Sequence, residues 1–250
     1  MQHLSGRVAA ITGAASGIGR ALAIELAGRG THLGLVDVDE AGLAETVAAC
    51  EGRGVKVTSR RVDVADRSEV EAWAEAVVAE HGAIHLVVNN AGVALGATVE
   101  AMAHDDLEWL MGVNFWGVVH GTRAFLPHLL VAGEGHIVNV SSVFGLFSVP
   151  AQSAYNASKF AVRGFTDALR MELDLAGAGV SCTTVHPGGI KTNIARNARM
   201  DPSAAALTGG DDGPDAKALD LLSRLPAGVL QRAIVAGARR RRANGASSGS

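Results

Sequence analysis

Short apolar runs rich in β-branched residues alternate with longer helical patterns through the first three quarters of the chain, and no other feature constrains the fold as strongly. Residues 8–11, 33–36, 86–88, 137–140 and 180–185 read as strands, with one more inside 55–62. Between them the apolar spacing predicts helices at 17–29, 40–51, 66–80, 105–130 (as two helices) and 154–176. Continuous apolar strands separated by amphipathic helices call for a parallel sheet covered on both faces. The expectation is one doubly wound α/β domain over residues 1–200, and 250 residues are enough to bury its core.

At the first strand–helix junction stands Thr12-Gly13-Ala14-Ala15-Ser16-Gly17-Ile18-Gly19. Glycines there permit a tight turn and let backbone amides approach a diphosphate at the positive end of the next helix. Asp37 follows the second strand, eighteen residues past Gly19, where a carboxylate can bind both hydroxyls of an adenosine ribose. A 2′-phosphate would meet like charge, and no Arg or Lys stands at 14–16 or 38 to offset it. The expected cofactor is therefore NAD in preference to NADP.

Tyr155 and Lys159 lie four apart in a helical pattern, which stacks them on one face. A phenol with a pKa near ~10 is ionised in about one molecule in a thousand at neutral pH. A neighbouring ammonium favours the phenolate, and a downward shift of roughly three units would make Tyr155 a general acid or base near neutrality.

With Thr12-Gly13-x-x-x-Gly17-x-Gly19, Asn89-Asn90-Ala91-Gly92 and Ser142…Tyr155-x-x-x-Lys159 in one chain, residues 5 to about 195 resemble the short-chain dehydrogenase/reductases, in their single-domain branch. The resemblance implies a Rossmann-type sheet and an oxidoreductase that interconverts an alcohol and a ketone by hydride transfer. Gly13, Ser16, Gly17, Ile18, Gly19 and Asp37 would then hold the nucleotide, with Asp63-Val64 at the adenine. Asn90, Ala91 and Gly92 would line the cofactor, and Pro187, Gly188, Ile190 and Thr192 would meet the nicotinamide end. Asn114 would hold a water of the proton relay, Ser142 would orient the substrate, and Lys159 would also bind the ribose. Ser141 is one residue off the expected spacing.

Leu95, Phe144 and Gln152 are expected at the substrate together with Ser142. The nearby residues are mostly apolar, which favours a neutral, fairly hydrophobic secondary alcohol or ketone. Trp109, Phe115 and Trp116 are read as lining a helix–helix contact in a homo-dimer or homo-tetramer, with core filling as the alternative. His186 is expected to pack beside the cofactor segment, and the nine histidines form no paired metal-ligand pattern. Cys50 and Cys182 read as buried free thiols, which suits a reducing, cytoplasmic setting. The N-terminus offers no signal-peptide pattern, no apolar run reaches a membrane span, and a net charge of −3 argues against nucleic acid as a partner.

Past Thr192 the pattern weakens. Residues 201–214 are rich in Gly, Asp, Ala and Pro and read as flexible, followed by helical patterns at 215–225 and 227–242 and a disordered tail at 243–250. No β-branched run suits a seventh strand; residues 207–209 make a poor remnant of one. Four arginines at 239–242 suit the C-terminal end of a helix dipole, the alternative being an anionic membrane surface. The rival to an enzyme is a regulatory protein that senses NAD on the same fold, although a sensor has no need of Ser142, Tyr155 and Lys159 together.

Overall fold

The first strand, β1 (Val8–Thr12), is buried at every position, because side chains from both of its faces meet covering helices. The computed structural model describes residues 4–188, 194 and 197–208. The expectations for Ile190, Thr192, the helical patterns 215–242 and the tail 243–250 lie outside the described residues.

β2 (His32–Asp37), β3 (Val57–Arg61), β4 (Leu86–Asn89), β6 (Gly135–Val140) and β7 (Val180–Val185) join β1 in one parallel sheet, in the order β3-β2-β1-β4-β6-β7. Alternate residues of each strand feed opposite faces. Ala9 and Ile11 pack with Leu33, Leu35, Leu26 and Leu43 under α1 (Gly17–Gly28) and α2 (Glu40–Cys50). Val8 and Ala10 pack on the other side with Trp73, Phe125 and Leu169, from α3 (Arg67–His81), α5 (Gly117–Ala132) and α6 (Ser153–Ala176). Trp73 meets Phe125 edge to face, with centroids 4.9 Å apart.

Strand order reverses between β1 and β4, so the two connections leaving their C-terminal ends diverge and open a crevice there. A buried polar ladder ties that end of the sheet to its helices. Asn89 Nδ2 donates to Asn139 Oδ1 (2.8 Å) and Thr122 Oγ1 (3.1 Å), and Asn139 Nδ2 donates to Thr166 Oγ1 (2.9 Å).

Three local expectations are corrected. The pair of helices expected over 105–130 is one unbroken helical rod: α4 (His104–Met111), a π turn (Gly112–Trp116) and α5. Gly112 and Gly117 both keep right-handed helical angles, so neither glycine ends the helix; Gly117 instead admits the Val64 side chain, 2.7 Å from where a Cβ would stand. The stretch 201–214 is not irregular throughout, since Pro202–Thr208 forms α7. Proline suits the first helical position, and Asp201 Oδ1 accepts from the Ser203 amide at 2.8 Å. Finally, Leu95–Gly96 (β5) and Arg199–Met200 (β8) pair in a small second sheet that no local pattern announces.

Candidate active site

The crevice between β1 and β4 opens into a cleft of about 450 Å³. Its nucleotide end is shaped by backbone. Gly13 has φ +66°, and a Cβ on it would lie 2.8 Å from Ala91 Cα, so only glycine fits where the two connections touch. Thr12 Oγ1 accepts from the amides of Asn90 (2.9 Å) and Ala91 (3.0 Å), and Asn90 Nδ2 donates to the carbonyls of Thr12 and Gly13. Gly19 carries the first turn of α1 against Gly13, whose carbonyl oxygen would be 2.1 Å from an added Cβ. Ser16 stands at the N-cap of α1 without a capping side-chain bond, and the first turn carries no acid. Ser16, Gly17 and Ile18 line the cleft, so the positive end of α1 faces it. This cradle fits the diphosphate of a dinucleotide.

Asp37 closes the same end. Its Oδ2 accepts from the Ala15 amide (2.8 Å) and its Oδ1 from the Asp39 amide (3.1 Å), which fixes the carboxylate against the turn with further lone pairs left over. Arg20 is committed elsewhere, to the carbonyls of Ala15 and Gly42 and to Glu45. Asp63 and Val64 also line the cleft, held by two helices: Asp63 N–H donates to Glu69 Oε2 of α3 (2.8 Å), and His120 Nδ1 of α5 lies 3.0 Å from the Val64 carbonyl oxygen.

At the other end of the cleft stand Ser142, Tyr155 and Lys159. Ser142 Oγ accepts from the Phe144 amide (3.1 Å), and its hydroxyl also hydrogen-bonds with Tyr155. His186 Nδ1 is 2.9 Å from the Ser142 carbonyl oxygen and donates to it. Tyr155 packs against Phe144, rings edge to face at 6.2 Å, in an apolar cluster with Leu95, Leu110 and Ala154. Lys159 is 2% exposed; its Nζ donates to the Val140 carbonyl (3.1 Å) and sits 5.5 Å from the Tyr155 ring centroid. Ser141 also lines the cleft, but its hydroxyl donates to the Lys159 carbonyl at 2.9 Å.

The electrostatics overturn one expectation. Lys159 does not bring the phenol towards neutrality in this structure. Burial pushes the Tyr155 pKa up, opposed by its hydrogen bond with Ser142, and burial pushes Lys159 down to about 8. Both shifts have one cause: a dry pocket disfavours the charged form of each group, phenolate and ammonium alike. The ammonium is turned to the Val140 carbonyl and the face of the ring.

Asn114 is fully buried in the π turn and does not line the cleft. Its side chain pairs with Val93 in both directions, Oδ1 accepting from the amide (2.8 Å) and Nδ2 donating to the carbonyl (3.0 Å), and also reaches Ser158. Ala91, Gly92, Pro187 and Gly188 line the cleft. Among the residues expected at the substrate, Ser142 does so, but Leu95, Phe144 and Gln152 do not. Leu95 is buried beneath Tyr155, Phe144 braces the Tyr155 ring, and Gln152 sits at the N-cap of α6. Trp109 was expected at a subunit contact; it lines the cleft instead, together with Val113, Ile194 and Asn197. The i, i+4 spacing of Trp109 and Val113, just ahead of Asn114, is a signal that could have found two of them; nothing local marks Ile194 or Asn197.

A glycine cradle at the switch point of a doubly wound sheet, with a buried Tyr–Lys pair at its far end, defines a nicotinamide-dependent oxidoreductase. The chain belongs to the short chain dehydrogenase family, whose pattern matches residues 7–203. A Mycobacterium tuberculosis protein named "Putative oxidoreductase SadH" is 48% identical, with 95% of this chain and 97% of that protein covered. Human estradiol 17-beta-dehydrogenase 11 is 37% identical, covering 92% of this chain and 73% of the relative. Among solved structures, a Burkholderia phymatum short chain dehydrogenase/reductase in complex with NAD superposes with a TM-score of 0.77 at 37% identity, covering 97% of this chain and 85% of that one. A metagenomic short-chain oxidoreductase in complex with NADP gives 0.70 at 33% identity, covering 75% and 84%. The chain is thus a dehydrogenase of the class acting on CH–OH groups, with a nicotinamide nucleotide as cofactor.

Proposed function

We propose that this enzyme interconverts a neutral, fairly hydrophobic secondary alcohol and its ketone with NAD, Tyr155 serving as the general acid and base. The observation that carries the reading is that Ser142, Tyr155 and Lys159 share one cleft with the Gly13–Asp37 cradle. When bound, the nicotinamide supplies or accepts the hydride. In reduction Ser142, when substrate is bound, donates its hydroxyl hydrogen bond to the substrate oxygen, where negative charge grows, and Tyr155 delivers a proton to that oxygen. In oxidation Tyr155 takes the proton from the alcohol. Lys159 holds the ribose, with its Nζ 5.5 Å from the Tyr155 ring centroid. Asn114 acts through the backbone of its π turn, where it holds a relay water, since its side chain is committed to Val93 and Ser158.

NAD is favoured over NADP because the Asp37 carboxylate stands where a 2′-phosphate would come, and Arg20, tied to Ala15, Gly42 and Glu45, offers no counter-charge. Assembly as a homo-dimer or homo-tetramer is supported by the exposed Trp116 and Phe160, and a cytoplasmic setting by the free thiols of Cys50 and Cys182. The test is Tyr155→Phe, assayed by NADH absorbance with NAD and secondary alcohols at alkaline pH. kcat is expected to fall ~10²–10⁴-fold with NAD affinity kept. Retained turnover would remove Tyr155 from this role.

A further inference from the structure

Building on the reading of a neutral, apolar substrate, we infer that Trp109 selects the shape of that substrate and that Arg199 positions Trp109. Trp109 stands on α4, lines the cleft, and belongs to the same apolar cluster as Tyr155. It is therefore at the chemical end, in the cluster that packs with the group that handles the proton.

What distinguishes this tryptophan is how firmly it is held. Arg199 comes from β8, ninety residues later, and lays its guanidinium 3.7 Å from the centre of the Trp109 ring. That is stacking distance, and the planar guanidinium lies well against an aromatic face. The same guanidinium donates to Asp106 Oδ1 at 2.5 Å. Asp106 precedes Trp109 by three residues, so carboxylate and indole are neighbours on one face of α4 and hold the cation between them. The backbone that carries Arg199 is pinned as well. Its amide donates to the Ala94 carbonyl (3.1 Å), the Asp201 amide donates to Gly96 (2.8 Å), and the Met200 thioether fills the space left open by Gly96.

Two consequences follow from this clamp. The charge of Arg199 is matched by Asp106, so the cation does not recruit an anionic substrate. The indole keeps one plane, so the cleft has a rigid, flat, apolar wall next to Tyr155 and Ser142. A substrate with its carbinol carbon on a flat ring can lie along that wall and present its oxygen in one orientation, whereas a short aliphatic chain covers little of it. Trp109 is thereby a specificity-determining residue, and Arg199 acts through it.

The experiment compares oxidation of indanol and isopropanol by the full-length enzyme with NAD, as the ratio of kcat/KM for the two alcohols. Wild type is expected to favour indanol. Trp109→Ala is expected to lower that ratio ~10-fold or more, chiefly through KM for indanol, with Trp109→Phe restoring most of it. Arg199→Gln is expected to lower the ratio about threefold to fivefold, because the loosened ring presents several orientations. KM for NAD within about twofold of wild type, in Trp109→Phe and Arg199→Gln at least, shows that the fold is intact. If wild type oxidises both alcohols and the ratio stays within about twofold in the variants, the inference alone falls. If the variants lose both alcohols equally and KM for NAD rises with them, Trp109 is only a packing residue and the inference also falls. If wild type oxidises neither alcohol, the reading beneath it falls too.

Discussion

At the nucleotide end of the cleft the walls are mostly backbone, drawn from residues close together in the chain; at the chemical end they are side chains brought from several distant elements. Gly13, Ser16, Gly17 and Ile18 follow one another along a single turn, and Asp37 ends the strand that pairs directly with β1. Ser142, Tyr155, Lys159 and Trp109 come from a loop and two helices, and Arg199 joins them from beyond β7. A backbone amide is the same donor in every residue, so the nucleotide end needs little more than glycines where a Cβ would collide. The chemical end works through desolvation, which exists only once the surrounding elements have packed.

Among three further variants, the largest expected effect tests whether the two ends act separately. Ser142→Ala removes the donor aimed at the reacting oxygen and is expected to lower kcat by ~10²–10³-fold while KM for NAD stays within about threefold. Steady-state kinetics varying both substrates would check this, and a matching rise in KM for NAD would erase the distinction between the ends.

Lys159 sharpens the comparison through stability. Its pKa is about 8 in the folded protein against 10.5 for a free lysine, so between those pH values the unfolded chain holds a proton that the folded protein has lost. Stability contributed by this group therefore rises with pH across that window, and below pH 8 the burial cost is present in full. That cost is on the order of 3 kcal/mol. Lys159→Met is expected to stabilise the nucleotide-free protein by up to about 3 kcal/mol at neutral pH, with the advantage shrinking towards about pH 10. Urea unfolding of both proteins at the two pH values is the check, since Tyr155 and the cysteines are common to both. A gap that does not change with pH would contradict the desolvation account.

The smallest effect belongs to the nucleotide end. Asp37→Ala is expected to raise KM for NAD ~10-fold and to narrow the preference for NAD over NADP, with kcat at saturating cofactor little changed. Paired kcat/KM measurements with the two nucleotides decide it; a wild-type enzyme that already favours NADP would overturn the role given to Asp37.

The parallel sheet was legible in the chain because its central strands β1, β2 and β4 are buried along almost their whole length, while the edge strands β3 and β7, with their exposed polar positions, were marked by their helix-long spacing. The glycine turn was legible in part for a local reason, since Gly19 must clear the Gly13 carbonyl; the contact of Gly13 with Ala91 comes only with the fold. The unbroken rod from α4 to α5 was hidden by Gly112 and Gly117, which look like helix breakers but keep helical angles. Leu95 and Phe144 were expected at the substrate because they are apolar and near Tyr155 in the pattern, yet both support its ring. Periodicity says that a side chain is buried and leaves open whether core or cleft buries it.

By itself the sequence determined the layered α/β architecture, the position of the nucleotide turn at its first junction, and the placing of Tyr155 and Lys159 four apart on one helical face. Each of these is written in residue type and spacing over short distances. Only the tertiary structure decided the protonation tendencies of Tyr155 and Lys159, the placing of Trp109 in the cleft, and the clamp that Arg199 and Asp106 put on it. Those properties depend on what excludes water from a group and on which distant side chain meets it, and neither is encoded in the spacing of neighbours along the chain.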